Sequence, residues 1–144
     1  MKHVYIPVFI LLLFAGCSKD FLRPYDDRII GTWVITDIDK YGFGGSIRDL
    51  PFPEGGRFSF MRDGTMTYTS PSGETYQGTW DIDKKFIDDD DDDEVQRSLQ
   101  ITAVNFTSQH VLGEYYDNIV FTGTDRLNAW INSGSRSYVT HLRR

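Results

Sequence analysis

The stretch from Phe58 to Thr69, F-S-F-M-R-D-G-T-M-T-Y-T, decides the fold because it predicts a β-hairpin with a definite register. Asp63-Gly64 is a strong turn signal, and the runs on either side alternate between apolar and polar residues. A three-residue loop with a left-handed Gly64 puts the four large apolar side chains on one face. A two-residue loop would mix them with threonines, because a slip of one residue reverses every side chain. We therefore predict the three-residue loop, with Phe58, Phe60, Met66 and Tyr68 sharing a face.

The chain from Ile29 onward continues in the same manner and shows no convincing helical face. Short runs rich in β-branched and aromatic residues are separated by Gly, Pro, Ser and Asp. Each run has one apolar and one largely polar side, so the strands are expected to be antiparallel and to hide their edges by closing into a barrel. The eight predicted strands are residues 30–38, 56–61, 65–70, 75–82, 97–104, 117–122, 126–132 and 136–143.

The first sixteen residues have the form of a signal peptide. A short basic start is followed by an apolar run of eleven residues from Val4 to Phe14. Such a run is too short for a membrane-spanning helix, which requires about twenty residues. The sequence L-F-A-G-C-S-K-D resembles the lipobox of bacterial lipoproteins, with Cys17 as the lipidated residue and Phe14 where leucine is usual. The alternative is an ordinary secretory signal that leaves Cys17 as a single unpaired thiol.

The lipobox resemblance implies an anchor and a location. Several acyl chains on Cys17 would hold the protein stably on a membrane. Ser18, rather than aspartate, follows the cysteine, which favours the outer membrane. Lys19-Asp20 matches a surface-export signal only in part, so the periplasmic face and the cell surface both stay open. Residues 17–28 are then a lipidated, flexible tether, and residues 29–144 are one domain.

The charge distribution excludes nucleic acid as a partner. The formal net charge of −6 becomes −7 when residues 1–16 are removed, because Lys2 is the one residue there that counts toward it. Seven consecutive acidic residues from Asp88 to Glu94 account for all of that charge, and no basic face remains for phosphates. The consecutive aspartates repel one another and have no glycine to turn on. We therefore predict a solvated insertion between the fourth and fifth strands, not a calcium site.

Several short motifs, in their order along the chain, resemble a known family. A Gly-x-Trp start to the first strand is similar to that of lipocalins and other calycin barrels. The whole pattern resembles the small lipocalin-like domains of Gram-negative bacterial lipoproteins, over residues 29–142. Its parts are Gly31-Thr32-Trp33, Phe58-x-Phe60, Asp63-Gly64-Thr65, Gly78-Thr79-Trp80 and the alternating Leu127, Ala129 and Ile131. The resemblance implies an all-β fold, an eight-stranded antiparallel up-and-down lipocalin-like barrel.

The two tryptophans of this pattern are expected to fill the barrel interior. In many lipocalins an arginine near the last strand covers the first tryptophan, and such a cation–π contact contributes about 0.5–2 kcal/mol. The resemblance therefore implies that Arg136 or Arg143 covers Trp33. The residues do not decide between these two arginines.

The aromatic interior suggests a binding function. An eight-stranded barrel is either filled by side chains or holds one small ligand, and the sequence leaves both open. If a ligand binds, phenol and indole groups in apolar walls suit a small hydrophobic or amphipathic molecule. The glycine-rich segment from Tyr41 to Gly55 would then act as a lid. The candidate ligand-binding residues are Trp33, Phe58, Phe60, Tyr68, Tyr76, Trp80 and Phe121.

Signals for catalysis and cofactors are missing from the sequence. Two histidines, His110 and His141, follow the signal peptide, and His141 lies on the last strand with no carboxylate obviously placed to orient it. No nucleophile elbow, metal-spaced histidine pair or phosphate loop occurs. Asp37-x-Asp39 superficially resembles the start of an EF-hand loop, but Arg48 stands where the closing glutamate belongs. We predict no enzyme activity, no metal and no cofactor.

The leading hypothesis is therefore noncatalytic binding of a small hydrophobic or amphipathic molecule by a membrane-anchored protein. The alternative is a protein-interaction module, an accessory or inhibitor lipoprotein with a filled barrel. The outward apolar residues Val34, Met61 and Trp130 motivate that alternative. An enzyme is the third and weakest hypothesis.

Overall fold

A computed structural model of the protein describes residues 23–43, 48–89 and 92–144, without the side chains of residues 87–94. The lipobox and Cys17 lie outside the described residues. Within these ranges there is one short helix, α1 (Tyr25–Ile29), and no helix is long and apolar enough to span a membrane. The strands are β1 (Gly31–Gly42), β2 (Arg57–Phe60), β3 (Thr65–Thr69), β4 (Thr75–Asp89), β5 (Asp92–Asn105), β6 (His110–Tyr116), β7 (Asn118–Phe121), β8 (Arg126–Ser133) and β9 (Arg136–Arg143).

All nine strands belong to one antiparallel sheet with the order β6-β5-β4-β3-β2-β1-β9-β8-β7. Strands that follow each other in the chain pair with each other, and β1 also pairs with β9. The exception is β6 and β7, which are the two ends of the sheet although Asp117 alone separates them in the chain. We call the gap between β6 and the β7–β8 hairpin the seam. The all-β antiparallel prediction is confirmed, and the closed eight-stranded barrel is not.

The strand that the sequence prediction missed is β6. Its sequence, H-V-L-G-E-Y-Y, places Glu114 at an inward position between Leu112 and Tyr116. A charged residue on the inner face breaks the apolar alternation on which the prediction depended. The strand forms because it pairs with β5 along seven residues, from Leu99 opposite Tyr116 to Asn105 opposite His110.

The β2–β3 hairpin has the predicted register. Phe58 pairs with Tyr68 and Phe60 with Met66, and all four side chains are at most 2% exposed. Gly64 has a φ of 81°, which a glycine adopts without strain. The Met61 amide donates to the Thr65 carbonyl at 2.9 Å and closes the three-residue loop.

The acidic run does not form a separate insertion. The β4–β5 ladder extends past the predicted ends of both strands, as far as the pair Asp89–Asp92. The prediction ended both strands where the apolar alternation ends. In a hairpin, however, each further residue pair extends an existing ladder and requires no new loop closure, so the ladder continues through polar residues. The described residues of the run, 88–89 and 92–94, therefore lie in the ladder of one long hairpin.

Helix α1 closes one end of the core, where the sequence predicted part of a flexible tether. Ile29 is fully buried, and its carbonyl accepts a hydrogen bond from Trp33 Nε1 at 2.6 Å. The guanidinium of Arg28 lies 4.3 Å from the ring centre of Phe121. We call the end of the sheet that contacts α1, next to Trp33 and Phe121, the α1 end.

The arginine over Trp33 is Arg144, at 4.5 Å from the ring centre, and not Arg136 or Arg143. Arg143 pairs with Val34, so its side chain points outward with that of Val34. Arg136 pairs with Gly42, at the opposite end of β1. The Arg144 guanidinium also donates to the carbonyls of Arg28 and Ile30, and so fixes the entry to β1.

Candidate functional site

The seven aromatic residues predicted to bind a ligand are all buried, at 9% exposure or less. They contact one another: Phe58 lies 5.0 Å from Tyr68, and Phe60 lies 5.8 Å from Trp80, ring centre to ring centre. Trp33 contacts Phe121 separately, at 5.9 Å. The rings therefore act on each other as packing partners, and the pocket described below is lined by other residues.

Part of the predicted lid covers the core at the end opposite α1. Tyr41 and Gly42 belong to β1, and residues 44–47 lie outside the described residues. We call residues 48–56 the cover segment. Its Phe52 is 1% exposed and lies 5.0 Å from Phe58 and 4.8 Å from Tyr68, ring centre to ring centre.

Two backbone hydrogen bonds fix the end of the cover segment to β1. The Gly55 amide donates to the Ile35 carbonyl at 2.8 Å, and the Ile35 amide donates to the Gly56 carbonyl at 2.9 Å. Tyr68 lies directly beneath, since a Cβ on Gly56 would stand 2.4 Å from its hydroxyl oxygen. The segment is thus held against the core and not over open space.

Glu114 of β6 is the most unusual side chain of the interior. It is 2% exposed, and its Oε1 accepts hydrogen bonds from Arg48 Nη2 at 2.8 Å and from the Tyr115 amide at 3.0 Å. Its Oε2 is buried and has no hydrogen-bond partner among the described residues. A buried polar atom without a partner costs about 1–3 kcal/mol, and more when it is charged. Oε2 of this carboxylate therefore lacks a hydrogen-bond donor that its burial would lead one to expect.

Burial is the largest cause of a raised pKa at Glu114, and the negative charge of Asp117 acts in the same direction. The Tyr115 amide and the Arg48 guanidinium lower the pKa but do not compensate. Loss of water disfavours the ionised form of a carboxyl group. Glu114 therefore holds its proton to a higher pH than an exposed glutamate does.

Three tyrosines are linked to this carboxylate, Tyr116 directly, Tyr138 through Arg48 and Tyr68 through Tyr116. The Arg48 amide donates to the Tyr138 hydroxyl at 2.9 Å. Burial raises the pKa of Tyr116, which lies within electrostatic range of Glu114 and forms a hydrogen bond with the Thr140 side chain. Burial also raises the pKa of Tyr68 to about 12, and its hydroxyl has no partner among the described residues. We call this set the Glu114 cluster: Arg48, Tyr68, Glu114, Tyr116, Tyr138 and Thr140.

A pocket of about 370 Å³ opens at the seam beside Glu114. Its volume is within the range of about 300–1,000 Å³ that is typical of small-molecule sites. Ile101 and Ile131 contribute apolar surface from β5 and β8, and most of the remaining lining is polar. We call it the seam pocket, lined by Arg48, Gln100, Ile101, Thr102, Gly113, Glu114, Tyr115, Asp117, Ile131 and Asn132.

His141 has a carboxylate partner on the outer face of the sheet, which the sequence prediction denied. Its Nε2 lies 3.0 Å from Asp39 Oδ2, and its Nδ1 lies 2.9 Å from Asn128 Oδ1. The prediction failed because the position of Asp39 beside His141 depends on how β1 pairs with β9. That pairing contains a register shift between Ile35 and Asp37, which the sequence does not show. Both ring nitrogens are engaged, so the geometry leaves neither of them directed at a substrate as a general base.

The other polar candidates give no metal or catalytic arrangement. His110 Nδ1 lies 3.4 Å from the Tyr76 hydroxyl, at the edge of hydrogen-bonding distance. Asp39, from the EF-hand-like stretch, accepts a hydrogen bond from the Tyr41 hydroxyl at 3.1 Å. Within the part of the chain that the structure describes, no three His, Cys, Asp or Glu residues are grouped to hold a metal ion.

The three outward residues that motivated a protein-interaction surface lie apart. Val34 is flanked by Arg57 and Arg143 in its neighbouring strands. Met61 is at the β2–β3 turn, and Trp130 is on β8, opposite Val139. They do not form one patch, so this hypothesis loses the observation on which it depended.

Comparison with known proteins does not indicate a function, so a functional assignment has to be based on the site itself. No protein-family model matches the sequence, and neither a curated protein nor a solved structure matches it significantly. Function depends on the chemistry of specific residues more than on the fold. The Glu114 cluster and the seam pocket are therefore the features that a functional assignment has to explain.

Proposed function

We propose that this protein is a lipid-anchored, noncatalytic binding protein that holds a small amphipathic molecule in the seam pocket, with the polar end of the molecule at Glu114. One observation carries the proposal: Glu114 Oε2 is buried, lacks a partner among the described residues, and belongs to a side chain that lines a pocket of about 370 Å³. A donor group on a ligand would satisfy this oxygen and offset its desolvation.

The seam pocket takes the place of the aromatic interior that the sequence indicated. The aromatic rings are in contact with one another and do not line the seam pocket. The seam pocket combines two isoleucines with hydrogen-bonding groups, which is the mixture that an amphipathic molecule requires. The molecule would bind at the wall of the barrel and not along its axis.

The proposed architecture is lipocalin-like. The pairing of β1 with β9 brings the two ends of the strand sequence together, as in an up-and-down barrel. The ligand is proposed to bind at the seam, where the two end strands of the described sheet do not pair with each other. In this arrangement a ligand would lie between β6 and the β7–β8 hairpin, which are not joined by a ladder of backbone hydrogen bonds.

The anchor and the pocket are at different ends of the domain in this proposal. The tether leads into α1, next to Trp33 at the start of β1. Arg48, at the rim of the seam pocket, binds Tyr138, which pairs with Lys40 near the end of β1. An outer-membrane lipoprotein attached through Cys17 would thus present the pocket away from the bilayer, toward a dissolved ligand.

Native mass spectrometry of the full protein, purified in detergent from its expression host, tests the proposal. We expect a reproducible added mass that is lost on denaturation, and a lower occupancy in Glu114→Gln. The exposed carboxylate of Asp83 provides the control, since Asp83→Asn should keep the occupancy of the wild type. A bare mass, together with no binding of amphipathic molecules offered afterwards, would overturn the proposal.

A further inference from the structure

We infer that the molecule bound in the seam pocket carries a positively charged amine, which pairs with Glu114 Oε2. This inference rests on the function proposed above and narrows its ligand to one chemical class, small organic cations. The class follows from three features of the pocket: its charge, the geometry of the free carboxylate oxygen, and its apolar surface.

The charged groups of the seam pocket favour a cation. Its lining contains two carboxylates, Glu114 and Asp117, and one guanidinium, that of Arg48. When Glu114 is ionised, the two carboxylates outnumber the one guanidinium, so the lining carries an excess of one negative charge. An anionic ligand would bring a third negative charge to this place, which electrostatic repulsion at low dielectric opposes strongly.

The geometry requires a donor that does not displace Arg48. Oε1 already accepts two hydrogen bonds, whereas Oε2 accepts none from the described residues. Oε2 is buried, so an ammonium group reaches it only when the Glu114 side chain turns toward the pocket. The ammonium group has three donors and no acceptor, so it can then bind Oε2 and also reach a second acceptor in the pocket. Asp117 Oδ2 accepts the Asn132 amide at 2.6 Å, which leaves its other oxygen for that role.

A neutral hydroxyl group would also satisfy Oε2, and charge distinguishes the two ligands. Burial and the charge of Asp117 both raise the pKa of Glu114. A bound cation opposes both effects and lowers that pKa, so its binding releases a proton wherever the empty site holds Glu114 protonated. A neutral hydroxyl group can donate to the ionised carboxylate or accept from the protonated carboxyl group, so its binding releases less proton than that of a cation.

The rest of the ligand has to be small and apolar. Ile101 and Ile131 provide apolar surface on opposite sides of the seam, and Tyr115 adds an aromatic ring. A pocket of about 370 Å³ accommodates a molecule of the size of a substituted phenyl group with a short chain. 2-Phenylethylamine has this form, and 2-phenylethanol is its neutral counterpart with the same skeleton.

Isothermal titration calorimetry on the full protein in detergent compares these two probes. We expect wild type and Asp83→Asn to bind the amine at least about tenfold more tightly than the alcohol, the preference typical of a hydrogen bond to a charged group. Glu114→Gln should bind both probes with similar affinity. Equal affinities in the wild type, or an amine preference that survives in Glu114→Gln, would overturn the inference.

The two levels of the proposal fail in different ways. Binding of the alcohol as tightly as the amine removes the inference and leaves the proposed function in place. Binding of neither probe, together with a bare native mass, removes both. Should Glu114→Gln not fold, the wild type decides by itself: titrations in two buffers of different ionisation enthalpy, from about pH 4 to about pH 7, must show a larger proton release with the amine than with the alcohol.

Discussion

Glu114 shows how one residue concentrates the chemistry of an otherwise apolar interior. Its neighbours Ile101 and Leu112 are the residues expected on the inner face of a sheet, and Glu114 occupies the same face. A buried carboxylate without full hydrogen bonding lowers the stability of the fold. Carboxyl groups with perturbed pKa values are concentrated at functional sites. At this scale the account makes two predictions.

The first prediction concerns the pH dependence of stability. The pKa of Glu114 is higher in the folded protein than in the unfolded chain. Between these two values the folded state binds more protons, so the free energy of unfolding decreases as the pH rises through this interval. We expect Glu114→Gln to lack this decrease.

Urea denaturation from about pH 4 to about pH 7 measures this effect. The difference between wild type and Glu114→Gln isolates the contribution of Glu114 from that of other carboxylates. Asp83→Asn serves as the control and should follow the wild type. Parallel pH profiles for wild type and Glu114→Gln would show that the carboxyl group titrates normally.

The second prediction concerns Gly78, in the second Gly-Thr-Trp segment. A Cβ at this position would stand 1.8 Å from the Thr102 carbonyl oxygen. The glycine therefore makes room for the backbone of β5, and Gly78→Ala should lower the free energy of unfolding by about 1–3 kcal/mol through overpacking. Gly113→Ala is the strand control, because the nearest atom to its Cβ is 3.7 Å away. Equal stabilities of the two variants in urea would contradict this reading.

Single elements of the fold differ in how well the sequence predicts them. The β2–β3 hairpin was predicted to the residue because its register depends on a local turn and on strict alternation. Strand β6 was missed because Glu114 interrupts the alternation, and its inward position depends on a partner, Arg48, that is 66 residues away in the chain. The identity of Arg144 over Trp33 likewise depends on the β1–β9 register, which no local pattern specifies.

The cover segment gives the prediction at this scale. Phe52 lies between two prolines and was not predicted to be in the core, yet it is 1% exposed against Phe58 and Tyr68. Phe52→Ala should lower the free energy of unfolding by about 3–5 kcal/mol, the range for a buried phenylalanine. Phe43, which is 96% exposed, provides the control, and Phe43→Ala should change stability by at most about 0.5 kcal/mol. Similar midpoints for both variants in urea would show that the segment does not pack on the core.

At the scale of the whole molecule, the described strands form one sheet whose two end strands do not pair with each other, and the candidate site lies between them. The all-β class and the positions of most strands followed from the sequence, since alternation is a local property. The seam and its pocket did not, because they depend on how the two ends of the sheet meet across the whole chain. The predicted aromatic residues were correctly placed inside, but they lie in the packed part of the core and not at the pocket.

The seam should be visible in hydrogen exchange. β3 pairs with β2 and β4, whereas β6 pairs with β5 alone. Amides of residues 110–116 should therefore exchange faster than those of residues 65–69, and addition of 2-phenylethylamine should slow the former selectively. Exchange that is equally slow in both strands without a ligand would indicate that the seam is closed in solution.

The central claim is that Glu114 Oε2 accepts a hydrogen bond from a bound molecule, and a crystal structure of the protein with 2-phenylethylamine tests it most directly. We predict the amine nitrogen within about 3 Å of Glu114 Oε2, with the phenyl ring between Ile101 and Ile131. Glu114→Gln crystals treated in the same way should show a lower occupancy of the molecule. A structure in which Oε2 is bound by another side chain of the protein, with the seam pocket empty, would contradict the account.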